Sequence, residues 1–315
     1  MVQSEAAARN SGHGHRVSGN ITTETKTGLG MSSLTRTQID QYWQEGFLFP
    51  LQLLSSAEAL TARQQLEEME RDYPDRAALT RCLLLNAHYS FPFVHQLAVH
   101  PSIVAAVQSI LGPNILAWGS ELFAKEPGST SYVGWHQDLF YWGMGSIDQE
   151  VTAWIALSEA SPANGCMQYL PGSHLTDELV EPIETFAKDN ALSRGQELPI
   201  DIDDNATVDV CMQPGQVALH HGRMYHASGA NPSSQRRLGL TIRYVTPDVQ
   251  PSVLGYDYAT LVCGENSSDK FRILPPPRVD MGEAERERFE LVAEHQSALY
   301  VRPEETRQPF WDRNA

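Results

Sequence analysis

His136 and Asp138 stand two residues apart in Trp135-His136-Gln137-Asp138-Leu139-Phe140-Tyr141-Trp142. In an extended strand, side chains two apart leave the same face, so an imidazole nitrogen and a carboxylate oxygen would converge on one point. That is two of the three donors a divalent metal needs. A third is offered by Leu219-His220-His221-Gly222-Arg223-Met224-Tyr225-His226-Ala227-Ser228, with His226 favoured and His220 and His221 as rivals. Two histidines and a carboxylate on one side of a metal leave its other side open, the arrangement of non-heme Fe(II) oxygenases.

A His-x-Asp triplet alone is weak, since a chain with 11 histidines can contain one by accident. The stretch after His226 strengthens it. Arg237 begins Arg-Leu-Gly-Leu-Thr-Ile-Arg-Tyr-Val, an alternating strand. A hairpin would return its start beside His226, where a planar, permanently charged guanidinium suits a bidentate carboxylate clamp. A dicarboxylate co-substrate near the metal is therefore expected. Neither His220 nor His221 has an arginine at the matching distance, and the neighbouring Arg236 reads as a surface residue. Phe140, Tyr141 and Trp142 would form either an apolar wall that excludes water from the metal or ordinary core packing.

The elements that must hold these residues are mostly strands. Short apolar runs at Ile115–Trp118, Glu121–Lys125, Tyr132–Leu139, Val151–Leu157, Met167–Leu170, Val208–Met212, Gln216–His221 and Leu238–Val245 are separated by Pro127-Gly128, Asn164-Gly165, Pro171-Gly172 and Pro214-Gly215. This punctuation predicts a mainly β jelly-roll barrel with helices packed outside and a metal site at its mouth. The helices precede it. Ile39, Tyr42 and Trp43 recur at helical spacing before a capping Gly46, and Phe47–Phe49 reads as a short strand. Ser55 and Glu58 form a capping box that opens a helix to about Tyr73. A further helical stretch runs from about Phe93 to Leu111 with a break at His100-Pro101. His88, His95 and His100 read as surface or hydrogen-bonded core histidines. A last helix spans Glu283 to about Leu299.

The expected organisation is a disordered polar tail over 1–32, one catalytic domain over 33–300 and a polar tail over 301–315. The chain has 315 residues, 41% hydrophobic and 20% charged, ordinary for a soluble protein. No apolar run is long enough to span a bilayer and the start lacks a secretory core, so a cytoplasmic location is expected. Cys82, Cys166, Cys211 and Cys263 are scattered and read as small buried or half-buried hydrophobes in a reducing compartment. The net charge of −16 argues against nucleic acid and anionic membranes as partners. Half of it lies between Asp177 and Asp209, where ten acidic residues face Lys188 and Arg194, a net of −8. This segment reads either as a solvated acidic loop or as a lid favouring a neutral or cationic substrate. A homodimer is left open.

Taken together, His136-Gln-Asp138, Thr152-Ala-Trp154-Ile-Ala-Leu, Asn164-Gly-Cys-Met-Gln-Tyr-Leu-Pro-Gly-Ser-His174 and His226-x-Ser228 with Arg237 resemble the phytanoyl-CoA dioxygenase family over about residues 34 to 250. The resemblance implies a double-stranded β-helix and an Fe(II)- and 2-oxoglutarate-dependent dioxygenase. It implies iron ligation by His136, Asp138 and His226, with Arg237 on the distal carboxylate of 2-oxoglutarate and Ser228 beside it. Trp154 and Trp142 match positions near the co-substrate, and His174 belongs to a structural turn. The expected reaction consumes O2 and 2-oxoglutarate, releases succinate and CO2, and hydroxylates an unactivated C–H bond. Halogenases of the family carry a small residue where Asp138 stands, which disfavours halogenation here; desaturation, ring closure and epimerisation stay open. A CoA thioester would prefer a basic rim, so a small amino-acid-like or secondary-metabolite substrate is expected, with Glu121, Tyr132, Phe140 and Tyr141 as pocket residues. The rivals are a cupin-like metal enzyme without 2-oxoglutarate, which Arg237 disfavours, and a non-catalytic binding protein, which the complete donor set disfavours.

Overall fold

A computed structural model describes residues 33–192 and 195–300. The expected tails at 1–32 and 301–315 lie outside the described residues. The chain begins with α1 (Arg36–Glu45), capped by Thr35 and Gln38 at one end and by left-handed Gly46 (φ 85°) at the other. That glycine reverses the chain directly into β1 (Phe47–Gln52). The capping box at Ser55 and Glu58 opens α2 (Ser56–Asp72), each partner accepting from the other's backbone N–H. Three more helices come next: α3 (Arg76–Leu84), α4 (Pro92–Ala98) and α5 (Pro101–Leu111). The pattern of the sequence does not reveal α3. It starts the next helix one residue late and places the His100-Pro101 break correctly, because proline denies its predecessor the helical conformation.

The remaining elements are β2 (Ile115–Lys125), β3 (Val133–His136), α6 (Leu139–Trp142), β4 (Glu150–Ala156), β5 (Met167–Tyr169), β6 (Ile183–Glu184), β7 (Gln196–Glu197), β8 (Val208–Asp209), β9 (Gln216–His220), β10 (His226–Ser228), β11 (Arg237–Val245), β12 (Asp257–Cys263), β13 (Phe271–Ile273) and α7 (Glu283–Tyr300). Three expectations are corrected. The runs at Ile115–Trp118 and Glu121–Lys125 are one strand, because Gly119 and Ser120 both pair with β11. The strand expected over Tyr132–Leu139 stops at His136, and Asp138 has a helical backbone (φ −58°, ψ −46°) at the head of α6. The strand expected over Val208–Met212 is only two residues long.

Two sheets make a jelly roll, a double-stranded β-helix. The larger has the order β1-β9-β4-β11-β2-β12-β13; the smaller has the order β3-β10-β5-β8. Neighbours pair antiparallel except β12 with β13. A separate two-stranded ribbon joins β6 to β7. Strand alternation sorts the larger sheet into two faces. One face contributes Leu122, Val151, Ala153, Ile155, Leu238, Leu240, Ile242 and Tyr244 to a core shared with the helices, among them Leu66 of α2, Leu79 of α3, Val94 of α4 and Ile103 of α5. The opposite face and the smaller sheet enclose a cavity. No single helix among the described residues is long and apolar enough to cross a membrane.

Candidate active site

His136 ends β3 and His226 starts β10, and the two are direct partners in the antiparallel ladder. Their rings lie 4.0 Å apart between centroids. Asp138 reaches them because the chain turns out of β3 into α6; side-chain alternation along a strand plays no part. Asp138 Oδ1 is 3.6 Å from His136 Nε2 and 3.9 Å from His226 Nε2. Donor atoms of these three buried residues all lie within 4.8 Å of one another. The turn is fixed from below. Gln137, 1% exposed, donates to Arg223 O (3.1 Å) and accepts from Val180 N (2.8 Å), while Leu139 N donates to Gly222 O (3.0 Å).

Both histidines turn Nε2 toward Asp138. His136 Nδ1 is 2.8 Å from Gly134 O and His226 Nδ1 is 2.9 Å from Met224 O. A carbonyl only accepts, so each Nδ1 carries a proton there and each Nε2 faces the cluster. Burial, then the His136 ring, hold the His226 imidazole well below its ordinary pKa, which keeps it neutral. Burial alone would raise the Asp138 carboxyl; Arg243, His136 and His220 outweigh it and hold it well below the usual carboxylate range. Two imidazoles and a carboxylate make a donor set that fits Fe(II).

The other end of the same cavity is cationic. Arg237, 3% exposed, donates from Nη1 to Gly165 O (2.6 Å) and lies 5.0 Å from the Trp154 ring centroid. Its Nε has no hydrogen-bond partner among the described residues. Trp154 reaches this position because residue 239 is glycine; a β-carbon there would fall inside the indole. Arg237 and the donor set line one cavity from different sheets, so the expected hairpin does not form. Lys125 is a charged residue of the cavity lining that the sequence pattern does not single out. Its Nζ donates to Ser228 Oγ (2.8 Å), Ser228 O (3.1 Å) and Gly229 O. Burial, then Arg237, push its pKa down to about 7. A signal is present: Glu121, Phe123 and Lys125 alternate within the expected run Glu121–Lys125 and all line the cavity, but nothing local in that run says which face meets it.

Glu121, Tyr141, Trp142, Trp154 and Ser228 also line the cavity, as their sequence positions suggest. Glu121 is bound bidentately by Arg243 (2.6 and 2.9 Å), and Arg243 lies 5.3 Å from the Trp142 ring centroid. Tyr132 and Phe140 are outside the lining. Tyr132 OH donates to Glu197 Oε1 (3.0 Å), and Phe140 packs edge-on against Tyr141. Of the rival histidines, His221 faces Glu150 and Asp148 at 3.2 Å each, away from the donor set. His220 does line the cavity. His174 binds Trp43 O (3.0 Å), and His88 is a buried partner of Ser120 Oγ (2.7 Å). The cysteines are free; Cys211 is exposed and Cys263 half-buried.

The acidic segment contains the ribbon β6–β7 and contributes to the cavity lining. Tyr132 N donates to Asp189 O (2.9 Å), Ala191 N to Tyr132 O (2.8 Å) and Leu198 N to Trp135 O (2.8 Å), so it is laced to the strand that carries His136. Ala191, Leu192 and Gln196 complete the lining.

Fold and site together define a jelly-roll protein with a two-histidine, one-carboxylate cluster facing a cationic wall. The model of the phytanoyl-CoA dioxygenase (PhyH) family matches residues 44–239, and the chain belongs to that family. It is 34% identical over 198 residues to a probable alpha-ketoglutarate-dependent hypophosphite dioxygenase of Stutzerimonas stutzeri, covering 58% of this chain and 64% of the relative. It is 30% identical over 152 residues to human peroxisomal phytanoyl-CoA dioxygenase, covering 47% of this chain and 44% of that one. Each match spans less than two thirds of the relative's length. Among solved structures, the apo form of the non-heme monooxygenase ThoJ superposes with a TM-score of 0.74 at 31% identity, over 83% of this chain and 96% of that one. CytC3 with Fe(II) and alpha-ketoglutarate gives 0.54 at 20% identity, over 77% and 93%, a likeness of fold.

Proposed function

We propose that this chain is an Fe(II)- and 2-oxoglutarate-dependent dioxygenase that hydroxylates an unactivated C–H bond of a small molecule. The observation that carries the reading is the presence, in one cavity, of a His-Asp-His donor set and a separate carboxylate receptor made by Arg237, Lys125 and Ser228. His136, Asp138 and His226 hold Fe(II). Fe(II), when bound, supplies activation of O2 coupled to decarboxylation of 2-oxoglutarate to succinate and CO2. Arg237 receives the distal carboxylate of 2-oxoglutarate through its unmet N–H, and the Lys125 ammonium adds a second charge. Trp154 stiffens Arg237 from the side. Tyr141 and Trp142, with Val133, Ala191 and Leu192, form the apolar part of the chamber and exclude water from the reacting atoms.

The acidic segment that contributes to the chamber favours a neutral or cationic substrate of amino-acid-like or secondary-metabolite size over a polyanionic thioester. The test is succinate formation from 2-oxoglutarate after anaerobic addition of Fe(II). Wild type should produce succinate slowly without substrate, His226→Ala none, and Arg237→Ala much less at limiting 2-oxoglutarate. A wild type that binds Fe(II) but has no affinity for 2-oxoglutarate overturns the reading in favour of a cupin-like metal enzyme.

A further inference from the structure

Asp138 presents its two oxygens to different neighbours. Oδ1 faces His136 and His226, at 3.6 and 3.9 Å. Oδ2 faces two residues that are not in the donor set: His220 Nε2 at 3.8 Å and Arg243 Nε at 3.8 Å. His220 ends β9 on the larger sheet and is 1% exposed, and its ring lies 4.9 Å from that of His226. Its Nε2 is buried and without a hydrogen-bond partner among the described residues. It does not belong to the group whose donor atoms all fall within 4.8 Å. An orphaned imidazole nitrogen aimed at a metal-site carboxylate needs an explanation, since a buried polar group that nothing meets is destabilising.

Its other nitrogen supplies one. His220 Nδ1 is 2.9 Å from the hydroxyl of Tyr169, which is fully buried on β5 directly opposite His226. When the phenol donates to Nδ1, the imidazole proton must sit on Nε2, pointing at Asp138 Oδ2. Arg243 is steadied for the same oxygen by its bidentate bond to Glu121.

We infer that His220, with its tautomer set by Tyr169, and Arg243 form a clamp on the Oδ2 oxygen of Asp138, so that the carboxylate offers the metal Oδ1 alone. His220 is thus a positioning residue. The consequence is coordination space: a carboxylate that binds through one oxygen leaves a position that a two-oxygen carboxylate would fill. This rests on the metal reading of His136, Asp138 and His226.

The probe is Co(II), titrated into the full chain under anaerobic conditions, with affinity and the visible d–d spectrum as readouts. His226→Ala is the control for the metal site itself; a wild type that binds no Co(II) overturns the metal reading and the clamp together. Given wild-type binding, His220→Phe should weaken Co(II) roughly 10- to 100-fold and change the spectrum toward higher coordination. Tyr169→Phe, which keeps the ring and removes one hydroxyl, should give a smaller loss in the same direction, and it serves where His220→Phe does not fold. His220→Gln, which retains a side-chain N–H, should recover part of the affinity. A folded His220→Phe with wild-type affinity and spectrum overturns the clamp. So does a spectrum that reports one donor fewer, which would make His220 a ligand.

Discussion

The two faces of β11 are equally buried and chemically opposite. Leu238, Leu240, Ile242 and Tyr244 enter the core shared with the helices, whereas Arg237, Thr241 and Arg243 enter the cavity. On the first face, stability comes from apolar area removed from water, about 25 cal/mol per Å2. On the second, each charge is held by a named partner: Gly165 O and the Trp154 ring for Arg237, the Glu121 carboxylate for Arg243. Such pairs contribute little net stability against an apolar replacement. Burial alone therefore does not separate scaffold from site on this strand; the type of partner does.

That contrast can be broken by substitution. Leu240→Ala should lose about 3 kcal/mol of unfolding free energy in denaturant titration, with the KM for 2-oxoglutarate unchanged. Arg237→Ala should do the reverse: a KM raised roughly 100-fold, about 2.7 kcal/mol, with stability held within ~1 kcal/mol. If Arg237→Ala unfolds the protein as readily as Leu240→Ala, the two faces are not distinct. Gly239→Ala sharpens the contrast between neighbours. Its methyl must displace Trp154, so a KM increase of roughly tenfold should accompany about 1–2 kcal/mol of destabilisation.

The smallest effect is a pH dependence. The Lys125 pKa lies near 7, so 2-oxoglutarate should bind best at and below pH 7 and weaken up to tenfold per unit as pH rises toward 9. Lys125→Met should bind more weakly at pH 7 and show a flat profile, measured by calorimetry. The same shift has a stability sign. Between about 7 and the ordinary lysine pKa near 10.5, the unfolded chain holds a proton the folded chain lacks. The unliganded protein should therefore gain stability with pH across that window, and Lys125→Met should not.

How much of the molecule is legible in its sequence depends on the range of the interactions. The helix capped by Ser55 and Glu58 is written in adjacent residues and can be read directly. The donor set is legible as residue types in two short segments, yet its geometry is not, because nothing local says that β3 ends at His136 and that Asp138 is helical. The Tyr169–His220, Lys125–Ser228 and Arg243–Glu121 contacts join residues 51, 103 and 122 positions apart. Alternation along β11 does place Arg243 on the Arg237 face, but not what it meets there.

The lacing of the acidic ribbon to β3 has one more consequence. Ala191, Leu192 and Gln196 line the chamber from this segment, while His136, His226 and Arg237 come from the two sheets and Asp138 from the head of α6. On the proposed function, selectivity and reactivity are written in separate stretches of sequence. An exchange of the ribbon could redirect which molecule enters without rewriting what is done to it.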